Sequence, residues 1–200
     1  MAANLNLIPL SVYDNFPTCW LKQSISEREF TRPSEGAAFP GEISLLTTEE
    51  KEFLVKEIFN RMNISIQKDS LTARIRRTRP GDFSRSFIHH DLGNVAGVIY
   101  LSKLPKEEDP CEFGTTFYEH IETGWSSFPD SPKAALLASF IVNSETTQLA
   151  KWKVIEKISY EQNRMLVYSG KSFHSGPKCQ IDGTCSTERV TLDFFGNLKQ

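Results

Sequence analysis

The sequence predicts a mainly β fold, an antiparallel sandwich or double-sheet jelly roll with one N-terminal helix set against it. Three features of the 200-residue chain carry that expectation. One well-patterned helix lies near the start. Everything after residue 64 breaks into short β-type segments separated by turn residues. No regular strand–helix alternation, the mark of a parallel α/β sheet, runs through them.

The helix is expected over residues 48–62. Thr47 followed by Glu50 has the spacing of a capping box. Leu54, Val55, Ile58, Phe59 and Met62 then recur at helical spacing, so one face must pack on something. Residues 1–41, rich in Pro, Ser and Gly with scattered aromatics, read as an irregular segment laid over the domain. Strands are expected near 70–79, 86–91, 95–102, 113–119, 152–158, 164–168, 172–175 and 188–195. An insertion near 121–150 interrupts them. Within it, Ser131 and Pro132 make a good helix start, and AALLASFIV is apolar enough to lie against a sheet or roof a pocket. The length fits one domain, with 1–41 irregular, 42–63 helical and 64–200 forming the β core.

Composition narrows the function classes. A net charge of −2 and a pI near 6.1 show no basic surplus, which argues against a nucleic-acid partner and for a small molecule, amino acid or peptide. No stretch approaches the roughly 20 apolar residues that span a bilayer. The amino terminus lacks a charged leader and an apolar run of signal-peptide length, so a cytoplasmic location is expected. The four cysteines, Cys19, Cys111, Cys179 and Cys185, are accordingly expected as reduced thiols. Cys179 and Cys185 read as two free loop thiols. Structural zinc wants four ligands and closer cysteine pairs.

The segment SFIHHDLG carries the chemistry. On a strand, His89 and Asp91 project to one face and His90 to the other. One imidazole and one carboxylate supply two thirds of a facial triad for iron(II). The third ligand must come from elsewhere, and among the four histidines of the chain His120 and His174 are the candidates. Two histidines and a carboxylate leave three open positions on an octahedral ion, which suits a bidentate 2-oxo acid plus dioxygen. The far carboxylate of such a cosubstrate needs a buried cation, preferably the planar fork of an arginine. Arg189 in ERVTLDFF meets this need, and Thr191 shares its face as a further donor.

HxD, a distal His and Arg-x-Thr in the last strand together resemble the iron(II)- and 2-oxoglutarate-dependent dioxygenase superfamily, in its prolyl-4-hydroxylase-like branch. The resemblance runs roughly from Ile75 to Phe195. RPGDFSRSFIHHD looks like the strand, turn and metal strand of that branch. VIYLSKLP is similar to its next strand, with Tyr100 in the place of a tyrosine that binds 2-oxoglutarate. EFGTTFYEH resembles its glycine-containing strand, here with Gly114. RMLVYSGKSFHSG looks like its distal-histidine strand. The resemblance implies a double-stranded β-helix, the cupin-like jelly-roll barrel, with the helix as a buttress. It implies His89, Asp91 and His174 on iron(II), and Arg189, Thr191 and Tyr100 around 2-oxoglutarate. The implied activity is hydroxylation of an unactivated C–H bond with dioxygen, releasing succinate and carbon dioxide. The alternative is a non-catalytic cupin-like protein that binds a metal or ligand.

Further expectations concern the surroundings. Leu71, Ala73 and Ile75 share a strand face with Arg77 and Arg79, and Arg74 and Arg76 share the other. If the apolar face lines the barrel, Arg79 enters the cavity and contacts a substrate carboxylate or the cosubstrate. The loop PKCQIDGTCST is expected to bulge outward, His120 to sit at the surface, and Trp125 with residues 134–142 to form a lid.

Overall fold

The computed structural model describes residues 10–21, 24–33 and 41–199. Much of the segment expected to be irregular (1–9, 22–23 and 34–40) lies outside the described residues. The first convincing element of the sequence is also the anchor of the structure. Helix α1 spans Thr48–Met62 and begins with the capping box: Glu50 N–H donates to Thr47 Oγ1 at 3.3 Å, and Thr47 N–H donates to Glu50 Oε2 at 3.0 Å. It ends at Asn63, whose left-handed backbone (φ 54°) lets its N–H close on Phe59 O. Glu50 also pairs with Arg28, and both side chains are almost fully buried, so the amino-terminal segment is tied to the start of the helix.

Among the described residues nine strands form two antiparallel sheets, and the fold is mainly β. In chain order they are β1 (Ser11–Tyr13), β2 (Glu42–Leu45), β3 (Thr72–Thr78), β4 (Val95–Tyr100), β5 (Thr115–His120), β6 (Trp152–Ile158), β7 (Met165–Ser169), β8 (His174–Ser175) and β9 (Arg189–Gly196). The larger sheet has the order β1-β7-β4-β9-β3-β2 and the smaller β6-β5-β8. They do not close into a barrel among the described residues. Helices α2 (Pro110–Phe113) and α3 (Pro132–Glu145) lie in the connections before and after β5.

Strand periodicity explains the layering. Ala73, Ile75, Val95, Ile99, Val167, Leu192 and Phe194 project from one face of the large sheet and pack with Leu54 and Ile58 of α1. Ala96, Val98, Tyr100, Leu166 and Tyr168 project from the other face toward Phe113, Phe117 and Tyr160. The central strands are thus buried on both faces, which is why VAGVIY and MLVYS read as continuous apolar runs. Gly114 is required where α2 meets β5, because a Cβ there would stand 1.8 Å from Ile158 O.

Several expectations are corrected. Residues 86–91 form no strand; His89 and His174 make an isolated bridge. The backbone there changes partner residue by residue: Ile88 N–H goes to Thr146 O, His89 N–H to His174 O and Asp91 N–H to Gly170 O. Strand β2 occupies the start of the range expected to be helical, because it pairs along the edge of β3. Strand β1 emerges from the segment expected to be irregular and pairs with β7. Helix α3, capped by Ser131, packs Ile141 with Phe87, Trp152 and Phe173 and so lies against the small sheet, one of the two placements expected of it. Cys179 and Cys185 form a disulfide, their Cα atoms brought to 4.8 Å by the short helical turn at Lys178–Gln180; only Cys19 and Cys111 are free thiols. No helix among the described residues is long and apolar enough to cross a membrane.

Leu54 is fully buried beneath the large sheet. Leu54→Ala is expected to lower the unfolding free energy by about 2–5 kcal/mol, read from a urea titration.

Candidate metal centre

The three residues singled out in the sequence converge. His89 and His174 exchange both backbone hydrogen bonds, at 3.0 and 2.9 Å, which sets their rings 4.4 Å apart between centroids. Each ring is oriented by its own chain: His89 Nδ1 donates to Phe87 O at 2.8 Å and His174 Nδ1 to Ser172 O at 2.9 Å. With Nδ1 so occupied, Nε2 is the atom of each ring that could ligate a metal. Asp91 arrives because its N–H bonds Gly170 O at 2.7 Å and the chain then turns at Gly93. That turn needs glycine, since φ is +94° and a Cβ would meet Gly196 O at 2.2 Å. One ligand atom from each of the three residues lies within 4.8 Å of the others.

Asp91 Oδ2 is 3.3 Å from His174 Nε2. Tyr168 Oη lies 3.1 Å from that nitrogen and donates to Asp91 Oδ2 at 3.4 Å. Burial, with the nearby His174, pushes His89 down to about 4, so it is neutral at pH 7 and fit to be a ligand. Burial pushes Asp91 up, but the charge and hydrogen bond of His174 outweigh it and hold the carboxyl at about 2. Burial pushes His174 down, and Asp91 outweighs this and raises it. Two imidazoles and an ionised carboxylate, on one side of an open chamber, form the donor set that suits iron(II) with exchangeable positions.

His120 is not part of this set. Contrary to the surface position expected, it is 1% exposed, held between Thr123 Oγ1 (3.0 Å) and Glu145 Oε2 (2.9 Å). His90 does point away from the triad's ligand set, with its ring against Phe128.

The triad opens on a cavity of about 100 Å³ between the two sheets. Arg189 lines it and is 7% exposed. Its Nε donates to Phe113 O at 3.2 Å, and Cζ lies 5.5 and 5.6 Å from the ring centroids of Tyr100 and Tyr160. No carboxylate among the described residues comes within 4 Å of it. Tyr100 stands behind the wall, its hydroxyl 2.9 Å from Thr115 Oγ1, and burial raises it to about 12, so it stays neutral. Thr191 faces the same way as Arg189, but its hydroxyl donates to Asp193 Oδ1 at 2.8 Å.

Arg79 does not enter the cavity. It pairs with Glu42 at 3.2 Å and Glu188 at 3.7 Å at the exposed end of the sheet. The apolar face of β3 turns to α1, so the opposite face supplies Arg74 and Arg76 to the chamber. Arg76 Nε donates to Asp193 Oδ2 at 2.9 Å. Tyr168, Arg74, Arg76 and Asp193 are the site residues that sequence reasoning missed. A signal existed for Asp193: an acid in an otherwise apolar strand, in phase with Arg189 and Thr191. None of residues 121–150 lines the cavity, so α3 and Trp125 form no lid over it; Gln180, from the loop expected to bulge outward, does line it.

These features define a two-sheet β protein in which two histidines and one carboxylate are placed so that they could hold a metal, beside a buried arginine. Residues 82–195, more than half of the chain, match the family of unknown function DUF6445, and the protein belongs to that family. The chain matches no curated protein. Among solved structures it is similar to one described as a novel N-substituted L-amino acid dioxygenase from Burkholderia ambifaria, at 12% identity and a TM-score of 0.36, over 61% of this chain and 47% of that one. It is also similar to the Fe(II)/α-ketoglutarate-dependent dioxygenase TqaL, at 16% identity and a TM-score of 0.37, over 76% and 54%. The chain spans about half the length of each of these structures.

Asp193 offers a pH test. Burial pushes its carboxyl up, while Arg76 and Arg74 outweigh it and hold the group below its ordinary 3.8. A depressed carboxylate contributes its stability in full above the unfolded value and loses it as pH falls toward the folded one. Asp193→Asn is therefore expected to cost about 1.5–3 kcal/mol at neutral pH. In denaturation curves across pH, its gap to the wild type should shrink below pH 3.8.

Proposed function

We propose that this chain is a non-haem iron(II)- and 2-oxoglutarate-dependent oxygenase that hydroxylates an unactivated C–H bond of a small molecule, amino acid or peptide. Its two sheets would be the walls of the double-stranded β-helix of that superfamily, in the prolyl-4-hydroxylase-like branch. One observation carries the reading: His89, Asp91 and His174 open onto the same chamber as Arg189, a buried guanidinium with no carboxylate of the described residues within 4 Å. A buried cation of that kind calls for an acid from outside.

In this reading His89, Asp91 and His174 hold iron(II) on one side. Bound there with 2-oxoglutarate and dioxygen, the metal supplies the oxidising power for C–H cleavage, with succinate and carbon dioxide as coproducts. Arg189 receives the distal carboxylate of the cosubstrate through its planar fork. Tyr100 and Tyr160 fix that fork against their ring faces, and Thr115 lines the path between it and the triad. Thr191 supports the arrangement by orienting Asp193. Tyr168 donates to Asp91 Oδ2, which keeps the carboxylate turned toward the histidines. Apolar layers on either side exclude bulk water and hold the ligands in place.

Anaerobic protein mixed with iron(II) and titrated with 2-oxoglutarate should develop a visible metal-to-ligand charge-transfer band. His174→Ala should abolish the band. Arg189→Gln should raise the 2-oxoglutarate needed at least tenfold with iron content unchanged. Asp91→Ala should end succinate release. Folded protein that binds one iron yet shows no band would defeat the oxygenase reading and favour a metal-binding protein without turnover.

A further inference from the structure

Arg74 is a second cation of the cavity wall with no carboxylate of the described residues within 4 Å. It lies in the middle of β3, where register sets it directly opposite Asp193. That acid is already committed, its Oδ2 to Arg76 and its Oδ1 to Thr191. Arg74 instead lies over the ring of Phe195, with Cζ 5.6 Å from the centroid. Its Nε is buried and makes no hydrogen bond. Burying a donor without an acceptor is unfavourable, and this one belongs to a residue of the cavity wall, where a ligand could supply the acceptor. Burial and the adjacent Arg76 push the group's pKa down, yet an arginine keeps its charge.

The charges of the chamber define what is missing. Its ionic side chains are Arg74, Arg76, Arg189, Asp91 and Asp193. Arg76 and Asp193 neutralise each other, and Asp91 belongs to the triad. Two guanidiniums remain unmatched. If Arg189 takes the distal carboxylate of the cosubstrate, Arg74 is left for a second anion.

We propose, resting on the oxygenase reading, that Arg74 binds a carboxylate of the substrate, and that this protein acts on small carboxylic acids such as amino acids with a free α-carboxylate. The planar fork of one arginine matches a planar carboxylate. A cavity of about 100 Å³ admits the acid-bearing end of a small molecule. The phenyl ring of Phe195 backs the guanidinium and limits its motion, so the recognised acid is fixed relative to the metal ligands rather than merely attracted.

The test uses the full-length protein and a panel of the common amino acids and their N-acetyl derivatives, each paired with its amide. Binding is measured by calorimetry, with iron(II) and saturating 2-oxoglutarate under anaerobic conditions, and again with neither present. At least one acid should bind ten times more tightly than its amide. Arg74→Gln should erase that preference while the charge-transfer band still forms at the wild-type 2-oxoglutarate concentration. Arg74→Lys, which keeps the charge without the fork, should restore part of it and guards against a folding defect in the first variant. The proposal is overturned if no acid outbinds its amide, or if Arg74→Gln weakens 2-oxoglutarate tenfold and leaves the acid preference intact. Failure of the oxygenase reading shows separately, as absence of the band while metal-free protein still prefers acids through Arg74.

Discussion

The reciprocal backbone hydrogen bonds between His89 and His174 are the contact on which the chemistry of this molecule depends. His174 begins a two-residue strand on the small sheet, and His89 comes from a segment with no regular structure. Neither backbone would hold its ring in place alone. Paired, they fix two imidazoles at a set separation, and each ring's Nδ1 is then spent on its own chain two residues back. The carboxylate follows from the same tether, because Asp91 reaches Gly170, just upstream of His174, before the chain turns at Gly93. A loop acquires the precision of a strand by borrowing partners on both sides.

The second constraint is the division of labour between the faces of the large sheet. Its apolar face meets α1, and its other face, turned to the small sheet, carries arginines, Asp193 and tyrosines among aliphatic residues. Burying so many polar groups is tolerable only where they satisfy one another. Arg76, Asp193 and Thr191 do so as a chain of hydrogen bonds across β3 and β9. Arg189 is handled differently, with aromatic rings beside it and one carbonyl as acceptor.

The sequence made the helix, most strands and the triad legible, for physical reasons that are local. A capping box and an apolar stripe mark α1 whatever packs against it. His89 and Asp91 were readable from residue types and spacing, which left His120 and His174 both open as the third member; the family resemblance pointed to His174. Residues that depend on which face points inward were not readable. Ile75 and Arg76 alternate in the sequence, and nothing in that alternation says whether helix or cavity lies on the apolar side; assuming a barrel interior placed Arg79 in the site and left Arg74 and Arg76 out. His120 was misread for a related reason, since its two hydrogen-bond partners, Thr123 and Glu145, come together only through the turn after β5 and the end of α3. The disulfide depended on a helical turn too short to leave a periodic signal.

Tyr168 gives the centre a property of its own. Its hydroxyl touches both Asp91 and His174, so these ligands are already knitted to each other by the protein's own groups. Loading such a site is an exchange of partners within a finished scaffold, unlike zinc modules whose ions drive the chain to fold. Under the proposed reading, such a protein would lose its ion and take up another without passing through an unfolded state. Availability of the metal in its surroundings would then set how much of it is active, while the amount of folded protein stays the same.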